Sequence, residues 1–417
     1  MTNATSEQGL FIGLYLPGDE APTISALMKL QRVGLLEGGH LAYGLGYLGN
    51  PRAEALGPQL PLQRESHVLA RRLLRDGGAM PLIVRDALPD AWGRLVIARE
   101  LGGRLPGDRE LLLLTNADRI GAMVFSETQE MPASPSLPHD ELTQVADAVR
   151  RLQYDLDIPQ RLRHLLLRGG SLGGARPKAS FAHDQALWLA KFPAIGDPVD
   201  VQALEALAMG LAAACGIRVP AFFTLPLGHG ESVFLSRRFD RSGPQARQRV
   251  HYLSASALLD IPYESSAGSY IALARLLRRL SIAPGADLAE LFRRLVFNLL
   301  IDNSDDHLKN HGMLYAGNGL YRLSPAFDVV PQLSNLGYQM LSIDGSSHAS
   351  SLELAIQAAP HFDLSPEQAR AIVQAMADTV EAGWRTQAAA VGASSGLCRH
   401  LESCLRRQAE LIGLRRI

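Results

Sequence analysis

The spacing of apolar and polar positions changes character along the chain. Near its start, Phe11-Ile12-Gly13-Leu14-Tyr15-Leu16 is a short apolar run with aromatic and branched side chains, which predicts a strand. Leu41 to Leu48 predicts a second strand, with glycines that suggest bends or bulges. Helical patterns lie between and after them, notably over Ser66 to Arg75 and Asp90 to Leu101. Asp118 to Phe125 then predicts a closing strand, so this part is a small α+β unit. Over Thr128 to Asp140, Pro132, Pro135 and Pro138 stand among serines, which disfavours helix and sheet alike and marks a linker.

Beyond the linker, Glu141 to Leu152 and Pro159 to Leu167 have helical period, and Gly169 to Lys178 is rich in glycine. Two strands are predicted over Ala179 to Ala182 and Ala186 to Phe192, turning at His183-Asp184-Gln185. A helix over Val201 to Cys215 ends at Gly216, a residue suited to the left-handed backbone after a helix. Ala221 to Leu225 and Ser232 to Phe239 pair as a hairpin across Gly228-His229-Gly230. Glycine loop, strands, helix and strands follow one another in the order of a kinase-like small lobe.

From about Leu253 nearly every segment has helical period. Asp287 is placed to cap a helix whose apolar positions Leu288, Leu291, Phe292, Leu295, Val296, Leu299 and Leu300 recur at three and four. Ser365 to Ala390 and Ser394 to Leu414 predict two more helices, and no solenoid period is present.

Composition narrows the class. A chain of 417 residues exceeds what one core usually serves, so two or three domains are expected. The net charge of -1 leaves no basic excess for tracking DNA directly. Cys215, Cys398 and Cys404 are too few and too scattered for a disulfide framework or a zinc site. Met1 to Glu7 is polar and lacks a signal-peptide core, which points to the cytoplasm.

The densest chemistry follows the helix through Leu300. From Asp302 to Asn310 the chain carries three carboxylates, two carboxamides, a serine, a histidine and a lysine. Gly317-Asn318-Gly319 between two short apolar runs predicts a hairpin, which sets position 310 opposite about 326 and brings Asp328 near Asn310. An Asn and an Asp side by side offer the hard oxygens that magnesium requires. A catalytic Asp, an Asn five residues later and an Asp across a hairpin are the kinase arrangement, which assigns Asp305 as base and Asn310 and Asp328 to the metal. Adjacent Asp305 and Asp306 cannot both be the base. Spacing favours Asp305 and leaves Asp306 open.

His307 reads as a structural hydrogen-bonding group or phosphate neighbour more than a base. Lys309 stays open between a solvated loop lysine and a group that steadies phosphate charge. The glycine stretch, with Gly173, Gly174, Ala175, Arg176 and Lys178, would present backbone N–H groups to phosphates, and it lacks the ending of a Walker loop. Lys191 on the second strand would pair the α- and β-phosphates of ATP, with Glu205 on the next helix as its partner.

With these residues in place the chain resembles the HipA family of toxin kinases from type II toxin–antitoxin modules. The resemblance rests on Ser171 to Lys178, Lys191-Phe192-Pro193, Arg238-Phe239-Asp240-Arg241, Asn303 to Asn310 and Leu323 to Asp328. Pro89 to Gly93 and Arg119 to Ala122 look like the family's N-terminal subdomain. It implies an α+β, protein-kinase-like two-lobed fold with a small β-rich N-terminal subdomain and an all-helical C-terminal lobe. It also implies a serine/threonine protein kinase using ATP and Mg2+ on a translation-related protein such as an aminoacyl-tRNA synthetase. A helix-turn-helix antitoxin would neutralise it and contact operator DNA. Ser171 matches the family's autophosphorylated serine, and Arg237 to Phe239 would form the adenine-side hinge, largely through backbone groups.

The expected division is 1–127 for the N-terminal subdomain, 128–140 for a linker, 141–252 for the kinase-like N-lobe and 253–417 for the C-lobe. Two rivals remain: a small-molecule kinase, and an inactive module that only binds antitoxin and DNA.

Overall fold

The computed structural model describes residues 8–116, 118–133, 142–159, 163, 166, 174–228, 230–263 and 265–414. They fall in two compact units, one of Met1–Leu189, Arg238–Leu253 and Gly317–Gly319, the other of Ala190–Arg237, Ser254–Ala316 and Leu320–Ile417.

The first unit is built on an antiparallel sheet of β1 (Gln8–Leu14), β2 (Thr23–Val33), β3 (Leu36–Tyr43), β4 (His67–Leu73) and β5 (Met123–Ser126), in the order β4-β3-β2-β1-β5. Ile12 pairs with Ala26 on one side and Phe125 on the other, and Ala26 pairs with Tyr43. All four are buried, as are Leu10, Met28 and Leu41, so one face of the sheet supplies the core. Helices α1 (Ala91–Glu100) and α2 (Asp108–Leu114) add Trp92, Val96, Ile97, Leu111 and Leu112 to buried positions, and α2 touches β5.

Two expectations for this unit are corrected, and one strand was missed. Ser66 to Arg75 is not an α-helix, since β4 takes His67–Leu73 and a single 3-10 turn, Leu74–Asp76, follows; β4 is an edge strand that buries only Leu69, so it shows no alternation to read. Strand β2 was not foreseen, because its buried residues cluster in its first half and leave an exposed, charged tail. Leu41 to Leu48 is divided: β3 ends at Tyr43, and Leu45–Leu48 is a turn of helix.

A buried charge cluster ties distant stretches of this unit together. Arg238 Nη2 donates to Asp240 Oδ2 at 2.7 Å, Arg241 Nη1 donates to the same oxygen at 2.5 Å, and the Gly121 amide reaches it at 2.8 Å. Burial pushes the Asp240 carboxyl up, but the Arg238 and Arg241 guanidiniums outweigh it and hold it well below the usual range. Gly121 has φ +78°, and a Cβ there would stand 3.2 Å from the Tyr252 backbone. Helix α3 (Leu142–Gln153) buries Val145, Ala148, Val149 and Leu152, a stripe at helical spacing. Strands β6 (Lys178–His183) and β7 (Ala186–Lys191) are joined at Asp184 and Gln185, both at positive φ.

The second unit takes the last two residues of β7, Ala190 and Lys191. Its α4 (Val201–Ala214) starts at Asp200, whose side chain accepts from the Ala203 amide. Strands β8 (Phe222–Gly228) and β9 (Glu231–Arg237) pair antiparallel, with Thr224 opposite Phe234. Then follow α5 (Tyr270–Leu280), α6 (Pro284–Leu300), the hairpin strands β10 (Gly312–Gly317) and β11 (Leu320–Leu323), α7 (Pro366–Ala390) and α8 (Ser395–Leu411). Helix α6 contacts α5, α7 and α8, which is why most of its residues are buried, Asp287, Glu290, Arg294 and Asn298 among them.

Asp287 does not cap α6, which begins at Pro284. The carboxylate lies fully buried in the first turn and accepts from Ser281 Oγ at 2.7 Å, the Leu323 amide at 3.0 Å and Arg322 Nε at 3.1 Å. The polar residue that looked like a cap is the anchor of β11. Ser365 does cap α7, with Gln368 completing a capping box.

Candidate active site

In the second unit, α6 ends at Leu300, and Asp302 takes φ +57° to turn the chain out of the helix. The loop that follows is braced on later sequence. Asp302 Oδ2 accepts from the Ser334 and Asn335 amides, both at 2.8 Å, and the Asp302 carbonyl accepts from the Gln332 amide at 2.9 Å. The Ser304 carbonyl accepts from the Met340 amide at 2.9 Å. Two carbonyls left over at the helix end are met separately, that of Asn298 by the Asn303 amide and that of Leu299 by Gln408 Nε2, both at 2.9 Å.

The two neighbouring carboxylates of the loop have different surroundings. Asp305 is exposed, whereas Asp306 is 3% exposed and accepts from Tyr270 Oη at 2.5 Å and from His311 Nε2 at 3.0 Å. Partial burial raises the Asp305 carboxyl; His307 opposes this, and the Asp328 and Asp306 charges add to it. Asp328 is therefore within electrostatic reach of Asp305. Burial also pushes Asp306 up, but His311 and the hydrogen bonds from His311 and Tyr270 bring it net below its ordinary value.

Asp328 is reached through the β10–β11 hairpin. Asn318 and its flanking glycines have positive φ, and the Ser324 amide donates to the Gly312 carbonyl at 2.8 Å, a pairing centred on Asn318. Lys191 Nζ donates to Asp328 Oδ1 at 2.6 Å and to Glu205 Oε1 at 2.7 Å. Lys191 and Glu205 are buried and Asp328 is partly open, so one ammonium serves two carboxylates at the edge of solvent. Burial disfavours the Lys191 charge, but Asp328 and Glu205 more than compensate and raise its pKa. Asp328 itself sits at φ +57°.

Asn310, also buried, lines a small cavity together with Asp306, His311, Phe327 and Val329, which sets it against the residues on either side of Asp328. The His307 ring lies 5.2 Å from that of Tyr263, and Lys309 Nζ lies 4.9 Å from the same ring. Arg237 is exposed at the end of β9.

The other sequence-predicted residues belong to the first unit or fall outside the described residues. Ser171 and Gly173 lie outside them. The Gly174 amide donates to Asp90 Oδ2 at 2.6 Å, Ala175 is exposed, Arg176 is half-buried and Lys178 is buried. The Phe239 ring packs 6.3 Å from Tyr252. The structure thus brings Lys191, Glu205 and Asp328 into contact, with Asp305 in electrostatic range. Among the described residues no group of three or more His, Cys, Asp or Glu side chains is placed to hold a metal ion, and no helix is long and apolar enough to cross a membrane.

Sequence reasoning missed Tyr270, Asn298 and His311. Asn298 inside an apolar helix was the available signal, since a buried amide needs partners: its Nδ2 donates to Tyr270 Oη at 2.9 Å and its Oδ1 accepts from Asn303 Nδ2 at 3.0 Å.

Residues 170–384 match the family model described as the HipA-like C-terminal domain, and the chain belongs to that family. A Sinorhizobium fredii protein named "Putative kinase Y4mE" is 28% identical over 328 residues, 72% of this chain and 73% of the relative. A second protein of that organism, "Putative kinase Y4dM", is 28% identical over 270 residues, 60% of this chain and 62% of the relative. The solved structure of HipA from Shewanella oneidensis MR-1, in complex with HipB and its operator DNA, superposes with a TM-score of 0.68 at 16% identity, covering 97% of both chains. The fold is therefore the mixed α+β, kinase-like fold of HipA.

Proposed function

We propose that the chain is a serine/threonine protein kinase that uses Mg-ATP and acts as the toxin of a type II toxin–antitoxin module. The observation that carries this reading is Lys191 Nζ held between Glu205 and Asp328, with exposed Asp305 in electrostatic reach. A buried lysine fixed by one carboxylate and shared with a second, partly open one is a device for placing positive charge beside phosphates. Asp305, with its carboxyl exposed, accepts the proton of the substrate hydroxyl; Asp306 is unsuited to that role because it is buried and already accepts two hydrogen bonds. His307 and Lys309 stand in the same loop, where Lys309 adds positive charge.

The residues present fit a magnesium ion. Asn310 and Asp328 would offer hard oxygens, and Asn310 lines the same small cavity as Phe327 and Val329, the sequence neighbours of Asp328. When bound, the ion neutralises charge on phosphate oxygens. Gly174, Ala175, Arg176 and Lys178 would hold phosphates, Arg237 and Phe239 would flank the base, and Ser171 would be the autophosphorylation site. HipB and operator DNA in the Shewanella complex support a helix-turn-helix antitoxin as partner, with DNA reached mainly through it. The protein substrate would be translation-related, such as an aminoacyl-tRNA synthetase.

The test is incubation of the full chain with radiolabelled ATP, magnesium and lysate, followed by phosphopeptide mass spectrometry. Label should appear on the chain and on a target protein and vanish with EDTA. An active-looking preparation that labels no protein would reject the reading.

A further inference from the structure

Resting on the kinase reading above, we infer that Asp306 and His311 are positioning residues that set the separation between Asp305 and Asn310. Each immediately follows one of those two residues in sequence, and His311 Nε2 donates to Asp306 Oδ2 at 3.0 Å. A direct bond between the second members of the two pairs limits the distance between the first members, because neighbouring Cα atoms lie only about 3.8 Å apart across a trans peptide. The pair is also braced from outside the loop. Tyr270 on α5 donates to the same Asp306 oxygen at 2.5 Å, and its ring meets that of His311 edge-on at 5.5 Å. Asn298 on α6 holds the Tyr270 hydroxyl at 2.9 Å. Asp306, His311, Tyr270 and Asn298 are all at most 5% exposed, so none is available to touch a substrate. Their bonds would hold the short loop in one geometry before nucleotide arrives, which is where well-placed catalytic groups gain their rate.

The experiment compares Asp306→Asn, Tyr270→Phe, His311→Ala and His311→Gln in the full chain. It measures kcat and KM for ATP, melting temperature, and hydrogen exchange over residues 302–311 without nucleotide. Asp306→Asn and Tyr270→Phe should lower kcat by ten-fold or more with KM for ATP within three-fold, and should speed exchange in the loop. Glutamine, which can still donate to Asp306, should restore much of what His311→Ala loses. Wild-type kcat in Asp306→Asn with an unchanged melting temperature would overturn the inference and leave the kinase reading intact. Unchanged loop exchange in both Asp306→Asn and Tyr270→Phe would overturn it even if no phosphate transfer were found, an outcome that would count separately against the kinase reading.

Discussion

Lys191 Nζ stands 2.6 Å from Asp328 Oδ1 across 137 positions of sequence. Its second bond, to Glu205, lies in a dry environment, since Glu205 is 3% exposed. Lys191→Met should therefore do two things. Phosphate transfer should fall by about a hundred-fold or more, by analogy with loss of a preorganised charge-stabilising group. Stability should drop by about 3 kcal/mol, because Glu205 stays buried without the Lys191 charge. Radiolabel transfer and urea unfolding measure the two effects separately.

Asp305→Asn should separate activity from folding. Removing a positioned proton acceptor lowers rates by roughly 10²–10⁴-fold, while the exposed side chain makes no hydrogen bond among the described residues. The expected result is near-complete loss of transfer with a melting temperature within about a degree of wild type. Retained activity would move the base elsewhere.

Asp287→Ala should show the opposite profile. The substitution leaves the Leu323 amide, Ser281 Oγ and Arg322 without their shared acceptor at a fully buried site. A loss of about 3–5 kcal/mol is expected by denaturant titration, as for breaking other buried ion pairs.

His251 gives the first unit an acid-sensitive point. Burial depresses its pKa from 6.5 to about 4, against a weaker opposing bond to the Leu56 carbonyl at 2.9 Å. Between those values the unfolded chain binds a proton that the folded chain does not, so stability rises with pH across that window. The His251 contribution is fully present above 6.5 and lost as pH falls toward 4. It amounts to about 3 kcal/mol at one unit per 1.36 kcal/mol. Denaturant unfolding from pH 7 to 4 should show this slope, and His251→Gln should flatten it.

The sequence was most readable where local chemistry and burial agree. Helix α4 announces its end with Gly216, which takes φ +73°, and the β10–β11 hairpin announces its turn with Gly317-Asn318-Gly319. Lys191, Glu205 and Asp328 could be grouped because the kinase arrangement calls for a strand lysine, a helix glutamate and an aspartate across a hairpin. Strands β2 and β4 were not readable, since one concentrates its buried residues at one end and the other buries almost nothing. Spacing favoured Asp305 over Asp306, but the physical difference between the two was invisible in the chain. It is created by Tyr270 and His311, whose partnership exists only once α5 and the loop are packed together.

Asp328 adopts a left-handed backbone at φ +57°, a region that aspartate and asparagine tolerate far better than other residues with a Cβ. Asparagine could keep that conformation and still accept a hydrogen bond from Lys191, yet would bring no negative charge. In the standard genetic code the two residues differ by a single base. On the kinase reading, one transition would thus separate this protein from a folded double that transfers no phosphate.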